Sequence, residues 1–151
     1  PLYSSAASDV YKRQVAKRLT PVAAKKGVVI NTEGKKAEIT AGESLVFEMI
    51  YNLCDNAVKY NKENGTVTVT TGISGGAPFV SVKDTGIGIP SECTDRIFER
   101  FYRVDKSRSK ESGGTGLGLS IVKHIAMSLG GEITVDSTPG VGTNITVVFK
   151  N

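Results

Sequence analysis

The sequence predicts an α+β fold, a two-layer sandwich in which a mixed, largely antiparallel sheet carries its helices on one face. Two stretches, 43–61 and 119–129, have apolar residues at helical spacing. Four others alternate in the way that strands do: 66–73, 79–83, 132–136 and 143–149. Most neighbouring strands are separated by short turns, so we expect them to pair antiparallel.

Length and composition indicate one ordinary globular domain. The chain has 151 residues, 39% of them hydrophobic and 23% charged, which excludes a disordered acidic tail and a collagen. No stretch approaches the roughly 18 consecutive apolar residues of a membrane-spanning helix. Two cysteines are too few for a disulfide scaffold, and a formal charge of +4 does not by itself select a polyanionic partner.

The N-terminal residues 1–14 are rich in Ser and Ala and show no sustained apolar period. We interpret them as a tail or a sequencing scar, or else as the frayed end of an upstream helix, and place the domain at 15–151. A helix is predicted over 15–27, ended by Gly27. The β-branched runs 28–31 and 37–40, separated by a turn at Glu33-Gly34, predict a hairpin.

The helix at 43–61 has an apolar stripe and, on another face, an aligned polar stripe that includes Asn52, Asn56 and Lys59. Gly75-Gly76 turns the strand at 66–73 into the strand at 79–83. Beyond these lie a short helical piece at 95–101, the helix at 119–129 and a final hairpin around Thr138-Pro139-Gly140.

Three segments carry polar residues or glycines that packing does not require. The amides of Asn52 and Asn56 and the ammonium of Lys59 could hold a hydrated metal and phosphate oxygens, or form a solvated helix face. Asp84-Thr-Gly-Ile-Gly-Ile-Pro90 follows a strand, where its carboxylate could accept from an exocyclic amine of adenine and its glycines could admit a ligand. A plain glycine turn is the alternative, and an aspartic protease would need a homodimer, since the chain has one Asp-Thr-Gly.

The third segment, Gly113-Gly-Thr-Gly-Leu-Gly-Leu-Ser120, opens the second strong helix and could bind an anion there. It is not a Walker A loop, because no Gly-Lys-Ser/Thr follows, and it is not a dinucleotide fingerprint, because Ile121 occupies the third glycine position.

In this order, and with the aromatic segment Phe98-Glu-Arg-Phe-Tyr-Arg103 between the second and third, the segments resemble the N, G1, F and G2 boxes of sensor histidine kinases. The resemblance covers about residues 19–150. It implies the catalytic, ATP-binding domain of a two-component kinase, in the Bergerat-type ATPase/kinase superfamily.

The resemblance assigns the catalytic role to three residues of the first strong helix. Asn56 would coordinate Mg²⁺, Asn52 would lie beside it, and Lys59 would lie near the phosphates. Asp84 would receive the adenine amine, and Arg100 and Arg103 would reach phosphates. The remaining residues implied to bind nucleotide are Tyr60, Gly86, Gly88, Ile89, Phe98, Gly114, Thr115, Gly116, Leu117, Gly118 and Leu119. The basic stretch 104–112 reads as a lid over the nucleotide or as a solvated loop.

The single histidine, His124, lies off the apolar stripe of its helix and lacks the context of a phosphoacceptor. The resemblance therefore implies that the dimerisation and phosphoacceptor helices are missing from this sequence, and that a response regulator acts downstream. We expect a cytoplasmic location, no nucleic-acid partner and no membrane contact by this domain.

Two other classes share the predicted fold. Stand-alone ATPases of the gyrase, chaperone and mismatch-repair type, or protein kinases of the same superfamily, are one. Those ATPases place a glutamate four residues before the metal asparagine, where this chain has Asn52. The second class is a pure interaction module that has lost nucleotide binding. In such a module we would expect the N, G1, F and G2 boxes to be degraded, whereas here they look intact.

Overall fold

The computed structural model describes residues 4–35, 37–41, 43–103 and 117–150. Its strands are β1 (Ser4–Ala7), β2 (Val29–Gly34), β3 (Glu38–Ala41), β4 (Thr66–Ser74), β5 (Ala77–Asp84), β6 (Gly131–Thr138) and β7 (Gly142–Phe149). Its helices are α1 (Ser8–Ala24), α2 (Glu43–Lys59) and α3 (Gly118–Ser128), with a 3₁₀ turn at Ser91–Cys93.

A five-stranded sheet in the order β2-β4-β5-β7-β6 forms one layer. Strands β4 and β5 pair antiparallel, as do β6 and β7, as the short turns between them predict. Strands β5 and β7 also pair antiparallel, while β2 runs parallel to β4. The predicted class, a mixed and largely antiparallel sheet with helices packed on it, is confirmed.

The core lies between this sheet and the helices. The apolar stripes of α2 and α3 face the inward side chains of the three central strands. The largest fully buried side chains there are Met49, Ile50, Leu53, Val67, Val69, Val80, Val122 and Phe149. The helical and alternating patterns at 43–61, 66–73, 119–129 and 143–149 predicted this burial, and the elements start or end within two residues of the predicted bounds.

The predicted hairpin of 28–31 and 37–40 is wrong. Strand β2 pairs with β4, and β3 pairs antiparallel with β1 in a separate two-stranded sheet. Helix α2 lies between β2 and β4 along the chain. Such a crossover helix returns the next strand in the same direction as the first, which is why the two strands pair in parallel.

Helix α1 begins at Ser8, inside the segment that we excluded from the fold as a tail, and ends at Ala24. Within that segment, Lys12 is only 4% exposed, and its ammonium donates to Thr71 Oγ1 at 2.8 Å and to the Glu33 carbonyl at 2.6 Å. Residues 8–14 thus form the first turns of α1.

The segment 95–101, predicted as a short helical piece, forms turns in the structure and not an α-helix. After the 3₁₀ turn, the chain continues through successive three-residue turns, in which the amides of Arg96 and Glu99 donate to the carbonyls of Cys93 and Arg96. Phe101 then has a φ of 65°, a left-handed conformation that no α-helix continues through.

Candidate functional site

Asp84, the last residue of β5, is half-buried and held in one orientation. Its Oδ1 accepts hydrogen bonds from the backbone amides of Gly86 at 2.8 Å and Thr143 at 3.2 Å. Both hydrogen bonds found for this carboxylate in the described part of the chain end on Oδ1, so Oδ2 can accept from a ligand. Burial raises the pKa of Asp84, and the two amide donors oppose that rise.

The loop after Asp84 packs closely against the end of α2. A Cβ on Gly86 would lie 2.3 Å from the Tyr60 carbonyl oxygen and 2.9 Å from Asp84 Oδ1, so only glycine fits. The amide of Ile87 donates to the same Tyr60 oxygen at 3.2 Å. The structure thus places Tyr60 beside Asp84 and Gly86, although more than twenty residues separate it from them in the sequence.

On its other side the loop packs against the turn between β6 and β7. Gly88 has a φ of 72°, and a Cβ there would lie 2.2 Å from the Thr138 carbonyl oxygen. The Ile89 amide donates to Ser137 Oγ at 2.8 Å, and the Gly140 amide donates to the Ile87 carbonyl at 2.8 Å. We call residues 85–90 the Asp84 loop.

The polar stripe of α2 begins against the start of α3. Asn52 Nδ2 donates to the Glu48 carbonyl at 2.8 Å, and a Cβ on Gly118 would lie 3.4 Å from Asn52 Oδ1. Lys59 forms an ion pair with Asp55, with Nζ to Oδ2 at 2.9 Å. Asn56 lies one turn from each of Asn52 and Lys59 and is half-buried.

The aromatic segment contributes packing more than polar contacts. Phe98 packs against the core, and the guanidinium of Arg100 stacks over the exposed ring of Phe101, 5.4 Å from its centroid. Arg103 is half-buried. Across the described residues, no hydrogen bond joins either arginine to Asp84 or to the two asparagines.

Part of the predicted phosphate-binding segment lies outside the described residues, namely the lid at 104–112 and Gly114, Thr115 and Gly116. The rest opens α3. The Leu117 carbonyl accepts from the Ile121 amide at 3.1 Å and from Ser120 Oγ at 2.7 Å. Gly118 is the first residue of the helix, and Leu119 is buried.

Sequence reasoning missed three polar residues that hold the Asp84 loop: Asn61, Ser137 and Thr143. Asn61 is 3% exposed, and its Nδ2 donates to the Thr66 carbonyl at 2.9 Å while its Oδ1 accepts from Thr85 Oγ1 at 3.3 Å. Ser137 and Thr143 come from the final hairpin, at directly paired positions. Only long-range pairing brings that hairpin beside β5, so no local pattern could have indicated these contacts.

Two features are absent from the described part of the structure. No group of three or more His, Cys, Asp and Glu side chains is arranged to bind a metal there. None of the described helices combines the length and apolar character needed to cross a membrane.

Comparison with known proteins identifies the class. Residues 41–151 match the family described as histidine kinase-, DNA gyrase B-, and HSP90-like ATPase. The sensor histidine kinase YkoH of Bacillus subtilis is 42% identical over 123 residues, which are 82% of this chain and 27% of YkoH. The chain therefore spans about a quarter of the length of this curated relative.

Solved structures agree. A mycobacterial sensor histidine kinase, MprB, superposes with a TM-score of 0.84 at 25% identity, over 97% of this chain and 96% of that one. Full-length ShkA in complex with AMPPNP gives a TM-score of 0.82 at 32% identity, over 97% of this chain and 30% of that one. The chain belongs to the histidine kinase-, DNA gyrase B-, and HSP90-like ATPase family, and within it corresponds to the ATP-binding catalytic domain of sensor histidine kinases.

Proposed function

We propose that this domain binds MgATP and transfers the γ-phosphate to a histidine on a separate phosphoacceptor helix domain of the same kinase. The observation that carries the proposal is the orientation of Asp84. Its Oδ1 is occupied by two backbone amides, which leaves Oδ2 to accept from a ligand, and the glycines of the adjoining loop let that loop pack closely against Tyr60 and Thr138. An ionised carboxylate in that position accepts from the amine of adenine, whereas guanine presents a carbonyl oxygen there.

Asn56 would hold Mg²⁺, and the donor set fits that metal. Magnesium commonly takes one or two protein oxygens and fills its octahedron with water and substrate phosphates. The amide oxygen of a half-buried asparagine, without a cluster of carboxylates, suits such a site. When bound, the metal would neutralise charge on the phosphates.

The remaining residues position the nucleotide. Lys59, paired with Asp55, extends the polar stripe of α2 towards the Asp84 loop, because Tyr60 directly follows it and contacts that loop. The first turn of α3 offers backbone amides and a helix dipole to the phosphates. Gly118 lies next to Asn52, so both ends of the polar stripe meet a predicted nucleotide-binding segment.

The domain holds ATP without activating water. Asn52 is an amide, and its Nδ2 is already engaged with the Glu48 carbonyl. An amide does not accept a proton at neutral pH, so it cannot act as a general base. The γ-phosphate would therefore stay intact until a histidine arrives in line, as a kinase requires.

The partners follow from the chemistry and from the relatives. The acceptor is a histidine outside this sequence. The one histidine here, His124, is exposed on α3, and the residues around it do not resemble a phosphoacceptor motif. We propose that the phosphoryl group passes on to a response regulator, and that the domain works at the cytoplasmic end of a membrane sensor. ShkA, solved with the ATP analogue AMPPNP, supports nucleotide binding by this fold.

Phosphotransfer in trans tests the proposal. The chain would be incubated with γ-labelled ATP, Mg²⁺ and the separately produced phosphoacceptor helix domain of YkoH. We expect label on the acceptor domain, none on the chain alone, and much slower labelling of the acceptor with an Asp84→Asn chain when ATP is below saturation. Label that stays on the isolated chain and disappears in His124→Gln would contradict the proposal.

A further inference from the structure

The Ser137 hydroxyl lies where the Asp84 loop crosses the final hairpin. It accepts from the Ile89 amide at 2.8 Å. It also lies 2.8 Å from Thr143 Oγ1 and 3.2 Å from the Gly142 carbonyl oxygen. The Asp84 loop and the start of β7 therefore meet on one side-chain oxygen of β6.

These contacts match what a hydroxyl can make, which is one donated and two accepted hydrogen bonds. With its proton directed at the Gly142 carbonyl, Ser137 accepts from the Ile89 amide and from the Thr143 hydroxyl, and all its capacity is used. With its proton directed at Thr143 instead, it still accepts from Ile89. In either arrangement the loop is tied to the hairpin through this oxygen.

The same hairpin holds the carboxylate. Thr143, directly paired with Ser137 across the strands, donates its backbone amide to Asp84 Oδ1 at 3.2 Å. The hydroxyl of Ser137 thus connects the Asp84 loop, at Ile89, with Thr143, which orients Asp84.

The geometry points to Ser137 as a positioning residue for recognition of the base, an inference that rests on the proposed function. Ser137 fixes the distance between the loop and the hairpin, and with it the direction of Asp84 Oδ2. It does not need to contact the nucleotide. Its loss should weaken binding of adenine nucleotides and narrow the preference for adenine over guanine.

Titration calorimetry with MgADP and MgGTP tests this on the whole chain. We expect Ser137→Ala to bind MgADP about fivefold more weakly, the effect of one lost hydrogen bond. The ratio of the affinity for MgADP to the affinity for MgGTP should fall as well. Ser137→Thr, which keeps the hydroxyl, should restore both. Thr134→Ala is the matched control, because it removes an exposed hydroxyl from the opposite face of the same strand.

A second readout does not depend on nucleotide. Exchange of the Ile89 amide with solvent, followed by NMR in the ligand-free chain, should be faster in Ser137→Ala than in wild type and Ser137→Thr. If Ser137→Ala does not fold, Ser137→Cys replaces it, since a thiol keeps the volume but is a weak acceptor. A merely structural role would lower the melting temperature and leave the affinity ratio of the folded chain unchanged.

The outcomes separate the two proposals. Wild-type chain that binds no MgADP contradicts the proposed function, while the Ile89 exchange rates still report on the hydroxyl. Wild-type chain that binds MgADP, together with a folded Ser137→Ala chain of equal affinity and equal adenine preference, overturns the positioning role. So does an equal loss in Thr134→Ala.

Discussion

Replacing Asp84 with asparagine should weaken adenine binding while preserving the loop. The new side chain keeps an oxygen that can accept from the amides of Gly86 and Thr143, as Oδ1 does now. Its amino group then stands where Oδ2 was and faces the adenine amine, donor against donor. Loss of that hydrogen bond, with a polar group left unpaired, costs about 1.5–3 kcal/mol, or roughly ten- to 150-fold in affinity.

Calorimetry with MgADP measures this loss, and Asp136→Asn is the control, because it makes the same charge change at an exposed position of β6. The free energy of unfolding, in contrast, should not fall in Asp84→Asn. Since burial raises the pKa of Asp84, its ionised form is penalised in the folded chain, and that penalty is felt as pH rises through the raised pKa. Asp84→Asn should therefore unfold at neutral pH with an equal or higher free energy. Unchanged affinity in the folded variant would refute the assignment.

The pH dependence of binding has a definite sign. Protonated Asp84 carries a hydrogen where an acceptor is needed, so wild-type affinity for MgADP should fall as pH falls towards the pKa of Asp84, which burial raises above its ordinary value. The Asp84→Asn chain should lack that decline. A wild-type affinity that rises with acid would contradict this role.

Three further predictions follow from single residues. Gly88→Ala should destabilise the fold by about 1–3 kcal/mol more than Gly140→Ala in urea unfolding: both glycines have positive φ, but only a Cβ on Gly88 meets backbone, at 2.2 Å. The wild-type chain should hydrolyse ATP far below the typical 10 s⁻¹, and Asn52→Glu, which supplies a base, should raise phosphate release at least about tenfold, whereas Asn52→Gln should not. Native chain should react with a thiol reagent at Cys93 alone, because burial raises the pKa of Cys54, and two thiols should react after unfolding. Equal costs at the two glycines, an inactive Asn52→Glu, or rapid labelling of both thiols would contradict the respective argument.

The sequence predicted those elements whose own periodicity decides their structure. Helix α2 and the alternating strands β4 and β7 carry their signal locally, and the turn glycines mark their ends. The pairing of β2 could not be read in this way. Two short β-branched runs beside Glu33-Gly34 look like a hairpin, and only the path of α2 across the sheet assigns β2 to β4.

The residues of the candidate site also fall into those with a local sequence motif and those positioned only by long-range pairing. The segments containing Asn56 and Asp84 were identified from their motifs, and their roles stay predictions. Ser137 and Thr143 lie in an ordinary hairpin sequence and acquire their contacts through the register of β5 with β7. A half-buried hydroxyl that joins a loop to a distant hairpin leaves no pattern in the sequence around it.

Thermal unfolding with added nucleotide tests the central claim, which is that this domain binds adenine nucleotides through the carboxylate of Asp84. At a ligand concentration one hundred times Kd, MgADP should add about 2.7 kcal/mol of stability. For a chain of this size that raises the melting temperature by roughly 5–10 °C. MgGTP at the same concentration should raise the melting temperature much less, and MgADP should add only about 0.3–1.4 kcal/mol to Asp84→Asn, because that chain binds roughly ten- to 150-fold more weakly. A melting temperature that no nucleotide moves, or that MgGTP raises as far as MgADP does, would contradict the account.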